Sequence, residues 1–256
     1  AGLLTRRLKA VCNEPMLTQA QAKAHFASID DYSRMIDFSG GSLIAFFGRS
    51  LDFLLVQDYQ NAISDLNQVL MRKDNFILAY FNRAVVRYRQ IEVSDRAGVV
   101  NARAQSGDDE LKNSALAAIG SQASQSAHTG NFGTIKINSN VLSAQEKARI
   151  EAEQLQQQRR LECNLALRDL DKVIELSPTF VYAYYNRAFI SSKLNNLDAA
   201  IEDLNKAIEL YPGFAEAYYN RGLILLRMGK TRQGIQDLSK AGELGLAMAY
   251  SVMKRA

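Results

Sequence analysis

The stretch LALRDLDKVIELSP (165–178) returns as AAIEDLNKAIELYP (199–212), and Pro178 and Pro212 lie 34 residues apart. Just downstream of each, AYYNRA (183–188) returns as AYYNRG (217–222). The same two phrases run up the chain. AYFNRA (79–84) and AFFGRS (45–50) match the second, and AISDLNQVL (62–70) and SIDDYSRMI (28–36) match the first. GIQDLSKAG (234–242) extends the first phrase toward the C-terminus. A fixed period in the 20–50 residue range is the signature of a repeat array.

Each unit reads as two helices. Tyr184, Ala188 and Ser191 stand three to four residues apart, and so do Ala200, Leu204 and Ala207. Both spacings place the residues on one buried face of a 3.6-residue helix. Small Ala and Gly allow two helices to approach closely, and the Pro or Gly after each second helix ends it. These residues resemble the tetratricopeptide repeat family. The resemblance is carried by Tyr184, Ala188, Ala200, Leu204, Ala207 and Pro212 in the third unit, and by Tyr218, Gly222, Leu225, Gly234, Leu238 and Ala241 in the fourth. In the first it is carried by Phe46, Ser50, Phe53, Ala62, Leu66 and Val69. In the second it is split between Tyr80 and Ala84, then Ala166, Leu170, Val173 and Pro178. Arg takes the seventh position, where Leu is common, and Asp74 and Leu246 replace the closing Pro. The resemblance implies an all-α, right-handed superhelix of helix-turn-helix repeats, an α-solenoid, with a long insertion in the second complete repeat.

The organisation follows from the register. Residues 1–16 are an N-terminal extension, and 17–42 are a partial repeat holding only a second helix. Complete repeats span 43–76, 77–180 (split by an insertion at about 93–160), 181–214 and 215–246, and 247–256 form a partial repeat or capping helix. An open repeat face needs a cap, so further repeats are expected upstream in the intact protein. The inserted segment lengthens the second unit by 70 residues. Its middle is rich in Ser, Gly, Asn and Gln, with a short strand expected at 134–137. Ser143 and Glu146 form a capping-box pattern, and a helix is expected to run from there unbroken into Leu176.

A charge pair recurs with the repeat. Asp31, Asp65, Asp169, Asp203 and Asp237 sit in second helices; Arg49, Arg83, Arg187, Arg221 and Arg255 sit in first helices. Each Arg follows the Asp of the preceding unit by 18 residues. That offset predicts five ion pairs between consecutive repeats.

Composition excludes several function classes. Of the 256 residues 47% are hydrophobic and 23% charged, the profile of an ordinary globular chain. The net charge of +4 is carried by residues 213–256, which hold seven Lys/Arg and three acids. No Lys/Arg run or RNA-binding motif accompanies it, which makes nucleic-acid binding the least favoured reading. Cys12 and Cys163 are too few for a disulfide framework or a zinc site; they are one bridge or two buried thiols, and the thiols are favoured because nothing in the sequence brings the two together. His25 and His128 stand alone and read as structural or solvated. Gly229-Lys230-Thr231 imitates the end of a phosphate loop, but Ile224 stands where the first Gly is required. No catalytic constellation, cofactor motif or metal-ligand spacing emerges, and the expected protein is not an enzyme.

The remaining candidate is the concave groove that first helices line in tetratricopeptide superhelices. Carried over from the family, position five reads Phe47, Phe81, Tyr185 and Tyr219, and position six reads Gly48, Asn82, Asn186 and Asn220. Tyr182 stands at position two. An Asn amide both donates and accepts, so the Asn row resembles the asparagine ladder of O-linked N-acetylglucosamine transferase superhelices, beside an aromatic row. The resemblance implies a protein-protein interaction scaffold that binds an extended peptide or helix of a partner. Positions two, five and six hold no base, which speaks against the family's clamp for acidic chaperone tails. A structural or self-associating module, packing through its terminal repeat faces, is the alternative. An accessory domain of a larger enzyme or secretion assembly is another.

Overall fold

The computed structural model describes residues 17–93 and 144–254, with the side chains of 144–148 left aside. The described residues form helices and turns, with no strand among them. Helix α1 is Gln19–Ser39, α2 Leu43–Leu55, α3 Tyr59–Arg72, and α4 covers 77–93. After the inserted segment come α5 Ala144–Leu176, α6 Val181–Lys193, α7 Leu197–Leu210, α8 Ala215–Arg227, α9 Thr231–Glu243 and α10 Met248–Met253. The helices α2/α3, α6/α7 and α8/α9 pack as antiparallel pairs, and consecutive pairs stack. This is an α-solenoid of helix-turn-helix repeats.

The local chemistry explains the boundaries. Thr18 caps α1 in a reciprocal box: its Oγ1 accepts from the Gln21 N–H, and its own N–H donates to Gln21 Oε1 at 2.9 Å. Asp58 caps α3 through the Asn61 N–H. The turn inside a unit needs one left-handed residue, supplied by Gln57 (φ 65°), Asn195 (φ 66°) and Gly229 (φ 77°) at equivalent positions. Asn and Gly adopt this region readily; Gln57 does so at a cost.

The repeat-defining small and branched residues form the core. Ala62, Leu66, Val69, Ala166, Leu170, Val173, Ala200, Leu204, Ala207, Leu238 and Ala241 are all fully buried. Helices α8 and α9 approach closely, and a Cβ on Gly222 would lie 2.9 Å from the Gly234 carbonyl oxygen. A side chain at either glycine would push the two helices apart.

Helix α5 is continuous for 33 residues from Ala144 to Leu176. Its second half supplies the buried Cys163, Ala166, Leu170 and Val173 of the second repeat. Residues 94–143 lie outside the described residues, as do the expected strand at 134–137, Cys12, His128 and Arg255. His25 belongs to the contact between α1 and α2, with its Nδ1 2.8 Å from Asp52 Oδ1. No helix among the described residues is long and apolar enough to cross a membrane.

The ion pairs differ from the expected pattern. Asp31 does not meet Arg49, Asp65 does not meet Arg83, Asp169 does not meet Arg187, and Asp203 does not meet Arg221. Each Arg instead binds the Asp of its own unit through a two-pronged fork. Arg49 donates from Nε and Nη2 to Asp65 at 2.8 Å each. Arg83 grips Asp169, Arg187 grips Asp203, and Arg221 grips Asp237 in the same way. The third nitrogen, Nη1, reaches back to the preceding unit. It donates to Ser33 from Arg49, Asn67 from Arg83, Asp171 from Arg187 and Asn205 from Arg221, at 2.6–2.9 Å. These acceptors stand two residues after each Asp. On a helix two residues turn the side chain by about 200°, so the Asp faces its own first helix while the later residue faces the next unit. Asp31 has no first helix in the described residues to pair with; it is exposed and accepts from Arg34 at 3.2 Å. The expected Asp237–Arg255 pair falls outside the described residues at Arg255, and Asp237 is bound by Arg221 of its own unit.

Each of these arginines also lies over the aromatic ring three residues earlier. Arg83 lies 5.5 Å from the Tyr80 ring, Arg187 5.7 Å from Tyr184, and Arg221 5.5 Å from Tyr218. This accounts for Arg at a position usually held by Leu. Its stem and planar head cover the ring, its fork binds its own unit, and its Nη1 ties that unit to the preceding one.

Candidate binding groove

The aromatic residues at position five are not a free row. Those of the first three complete repeats each pack on an aromatic residue just before the next first helix. Phe47 meets Phe76 edge-on with centroids 5.0 Å apart, Phe81 meets Phe180 at 5.1 Å, and Tyr185 meets Phe214 at 4.8 Å. Phe81 is 0% and Tyr185 3% exposed, so both are core residues and neither can line a ligand. Phe47 and Tyr219 are half-buried, as is Tyr182, whose ring lies 5.6 Å from Phe214. The aromatic row is therefore a set of ring contacts between repeats. Its sequence signal was present: Phe76, Phe180 and Phe214 keep the 34-residue register once the insertion is removed.

The Asn row divides. Asn82 and Asn186 are buried at 3% and 1% exposure. Among the described residues Asn82 Oδ1 and both amide atoms of Asn186 have no hydrogen-bond partner. A buried amide without a partner carries a desolvation penalty of about 1–3 kcal/mol, so these groups invite a functional explanation. Asn220 is half-exposed and donates from Nδ2 to the Tyr185 hydroxyl at 2.8 Å. Burial pushes the Tyr185 phenol above its usual pKa, while the hydrogen bond from Asn220 acts in the opposite direction. Gly48 ends the row on the N-terminal side. A Cβ there would collide with the Tyr32 ring, which fills the position the other units give to Asn.

A cleft of about 300 Å³ opens between α6 and α8. Phe189, Leu223 and Ile224 give it apolar walls with Leu204 as their buried neighbour, and Ser192 and Asn220 add polar groups. Lys193 and Arg227 stand at its rim. Each is the last residue of its helix, at the same position of adjacent repeats. Reading positions two, five and six alone missed them, although their 34-residue spacing was visible. A second cavity around Arg221, lined by Asn205, Gln233 and Asp237, is chemically closed because Arg221 is bound to both Asp237 and Asn205. Among the described residues no group of His, Cys, Asp and Glu could hold a metal ion.

Stacked antiparallel helix pairs with a 34-residue period and a groove along their first helices define a class of helical-repeat proteins. Comparison with known proteins agrees. Residues 170–202 and 215–244 match the tetratricopeptide repeat, and 190–229 match the TPR repeat. No curated protein sequence matches the chain. Among solved structures the chain is similar to MamA, with a TM-score of 0.56 at 15% identity, covering 91% of this chain and 98% of that one. It is likewise similar to MamA from Desulfovibrio magneticus RS-1, with a TM-score of 0.55 at 14% identity, covering 94% and 93%. A thermophilic TPR protein of Thermus thermophilus, TTC0263, gives a TM-score of 0.54 at 13% identity, covering 91% of each chain. At these identities the likeness concerns the fold. Residues 170–244 of the chain are tetratricopeptide repeats.

Proposed function

We propose that the protein is a non-enzymatic scaffold that binds an extended segment of a partner protein along its first helices. The observation that carries this reading is the cleft between α6 and α8, where apolar walls meet convergent polar groups. Phe189 and Leu223 offer apolar contact, and the half-exposed Asn220 offers a carbonyl and an amide to a peptide backbone. The unpartnered amide of Asn186, one repeat earlier, supports the same reading. A buried polar group that costs stability in the free protein is accounted for if a ligand completes it.

The test is an affinity pull-down with three proteins: the chain itself, Asn186→Ala/Asn220→Ala, and a version with 94–142 replaced by a short Gly/Ser linker. The expected result is a partner held by the first and third proteins and lost from the second, with its thermal melt retained. Undiminished capture by the double Asn variant would sink the groove reading. Loss from the linker version alone would move recognition to the inserted segment.

A further inference from the structure

We propose that the α6/α8 cleft selects an acidic segment. Two carboxylate side chains of the partner would meet Lys193 and Arg227, and an apolar side chain between them would lie on Phe189 and Leu223. This rests on the groove reading above and names its ligand chemistry.

The argument is charge complementarity. The cleft is lined by two cations and no carboxylate. Neither cation has an acid partner among the described residues. Lys193 Nζ lies 5.4 Å from the Phe189 ring, which keeps the ammonium beside the apolar wall. Arg227 donates from Nη2 to Asn195 Oδ1 at 2.8 Å, which fixes the guanidinium at the rim with its other nitrogens unassigned. Basic residues at the end of a helix also favour its dipole, but that effect asks for no apolar cleft between them. Helix α8, which supplies Arg227, belongs to a segment, 213–256, that carries an excess of four positive charges in the sequence.

The spacing selects a side-chain pattern. Equivalent residues on neighbouring packed helices stand about 10 Å apart, and an extended chain advances about 3.3 Å per residue. Side chains of an extended chain alternate between faces, so two acids four residues apart, about 13 Å, share one face and reach both cations through their long side chains, with the apolar residue midway between them over the cleft. A single terminal carboxylate would engage one cation and leave the other exposed.

The experiment is fluorescence anisotropy with labelled, N-acetylated and C-amidated dodecapeptides. One carries two Glu four residues apart with Leu midway between them. A second has Gln in place of both Glu, and a third is the Gln peptide with a free C-terminal carboxylate. The Glu peptide is expected to bind about tenfold more tightly than either Gln peptide, with affinity falling as salt rises. Lys193→Gln/Arg227→Gln, both exposed positions, should remove that preference and leave the melting temperature unchanged. Equal binding of the amidated Glu and Gln peptides, no binding of the Glu peptide, or a Gln double variant that keeps the preference would each overturn the inference. So would a free-carboxylate Gln peptide that equals the Glu peptide. In every one of those cases the groove reading is judged separately, by whether the double Asn variant loses its captured partner.

Discussion

Truncating Arg187 to Ala tests the architecture of the stack at one of its recurring Arg–Asp forks. The guanidinium donates to Asp203 at 2.9 Å from Nε and also from Nη2, and to Asp171 at 2.7 Å from Nη1. The Asp203 side chain is 9% exposed and the Asp171 side chain 58%. The exposed arm contributes within the surface range, about 0–1 kcal/mol. The buried arm dominates, because removing Arg187 strands a nearly buried carboxylate, at about 3–5 kcal/mol. Arg187 is itself 27% exposed, so water relieves part of that cost and about 3 kcal/mol is expected. For a chain of this size that lowers the melting temperature by roughly 6–12 °C. The carboxylate partners also raise the Arg187 pKa above its usual value, led by the Asp203 hydrogen bonds. Double-mutant cycles by urea unfolding separate the partners. The coupling of Arg187 with Asp203 should be about 2 kcal/mol or more. With Asp171 it should be below about 1 kcal/mol. With Asp169, which is bound to Arg83, it should vanish within about 0.5 kcal/mol. A coupling to Asp169 larger than that to Asp203 would refute the intra-repeat assignment and restore the 18-residue pairing.

Two further perturbations probe the packing. Phe214→Ala removes a ring that is 6% exposed and touches Tyr185, Tyr182 and Tyr211. It should cost about 3–5 kcal/mol and raise amide exchange in both α6 and α8; a cost under about 1 kcal/mol would mean the ring contact does not hold the repeats together. Tyr185→Phe should change the alkaline response. The Tyr185 pKa is raised in the folded protein, so above about pH 10 the unfolded chain loses a proton that the folded one keeps. That contribution is fully present below about pH 10, and stability then falls by about 1.4 kcal/mol per pH unit as pH rises. Phe at this position should remove that slope, measured by urea unfolding at about pH 9 and about pH 11, and an unchanged slope would contradict the burial of the phenol.

Much of the architecture could be read from the chain alone. The 34-residue period, the two helices per unit and the length of the inserted segment all followed from aligned phrases. The insertion length is reflected in the pairing itself: Arg83 and Asp169 are 86 residues apart, while Arg187 and Asp203 are 16 apart. The choice of partner for each Arg could not be read. In a strict repeat every Asp–Arg offset is constant, so 16 and 18 are equally periodic. Only the direction each side chain leaves its helix decides between them. The aromatic residues of position five were misplaced for a related reason. Phe81 and Tyr185 stand at a ligand-facing position in the family pattern, but large Phe residues ahead of the next helix cover them here. Lys193 and Arg227 were overlooked because the family's groove positions stop short of the last helical turn.

The sequence by itself determined which segments are helical, how they pair and how often the pair recurs. Those properties depend on local periodicity, caps and turn residues, and each lies within a few residues of its cause. The tertiary structure decided which side of each helix meets which neighbour. That assigned the arginine forks to their own units, buried Asn82 Oδ1 and both amide atoms of Asn186 without hydrogen-bond partners among the described residues, and left Phe189, Asn220 and Leu223 open beside two cations. These outcomes depend on the angle and distance between stacked helices. A rotation of one residue, about 100°, would have exchanged core for groove without altering the repeat in the sequence.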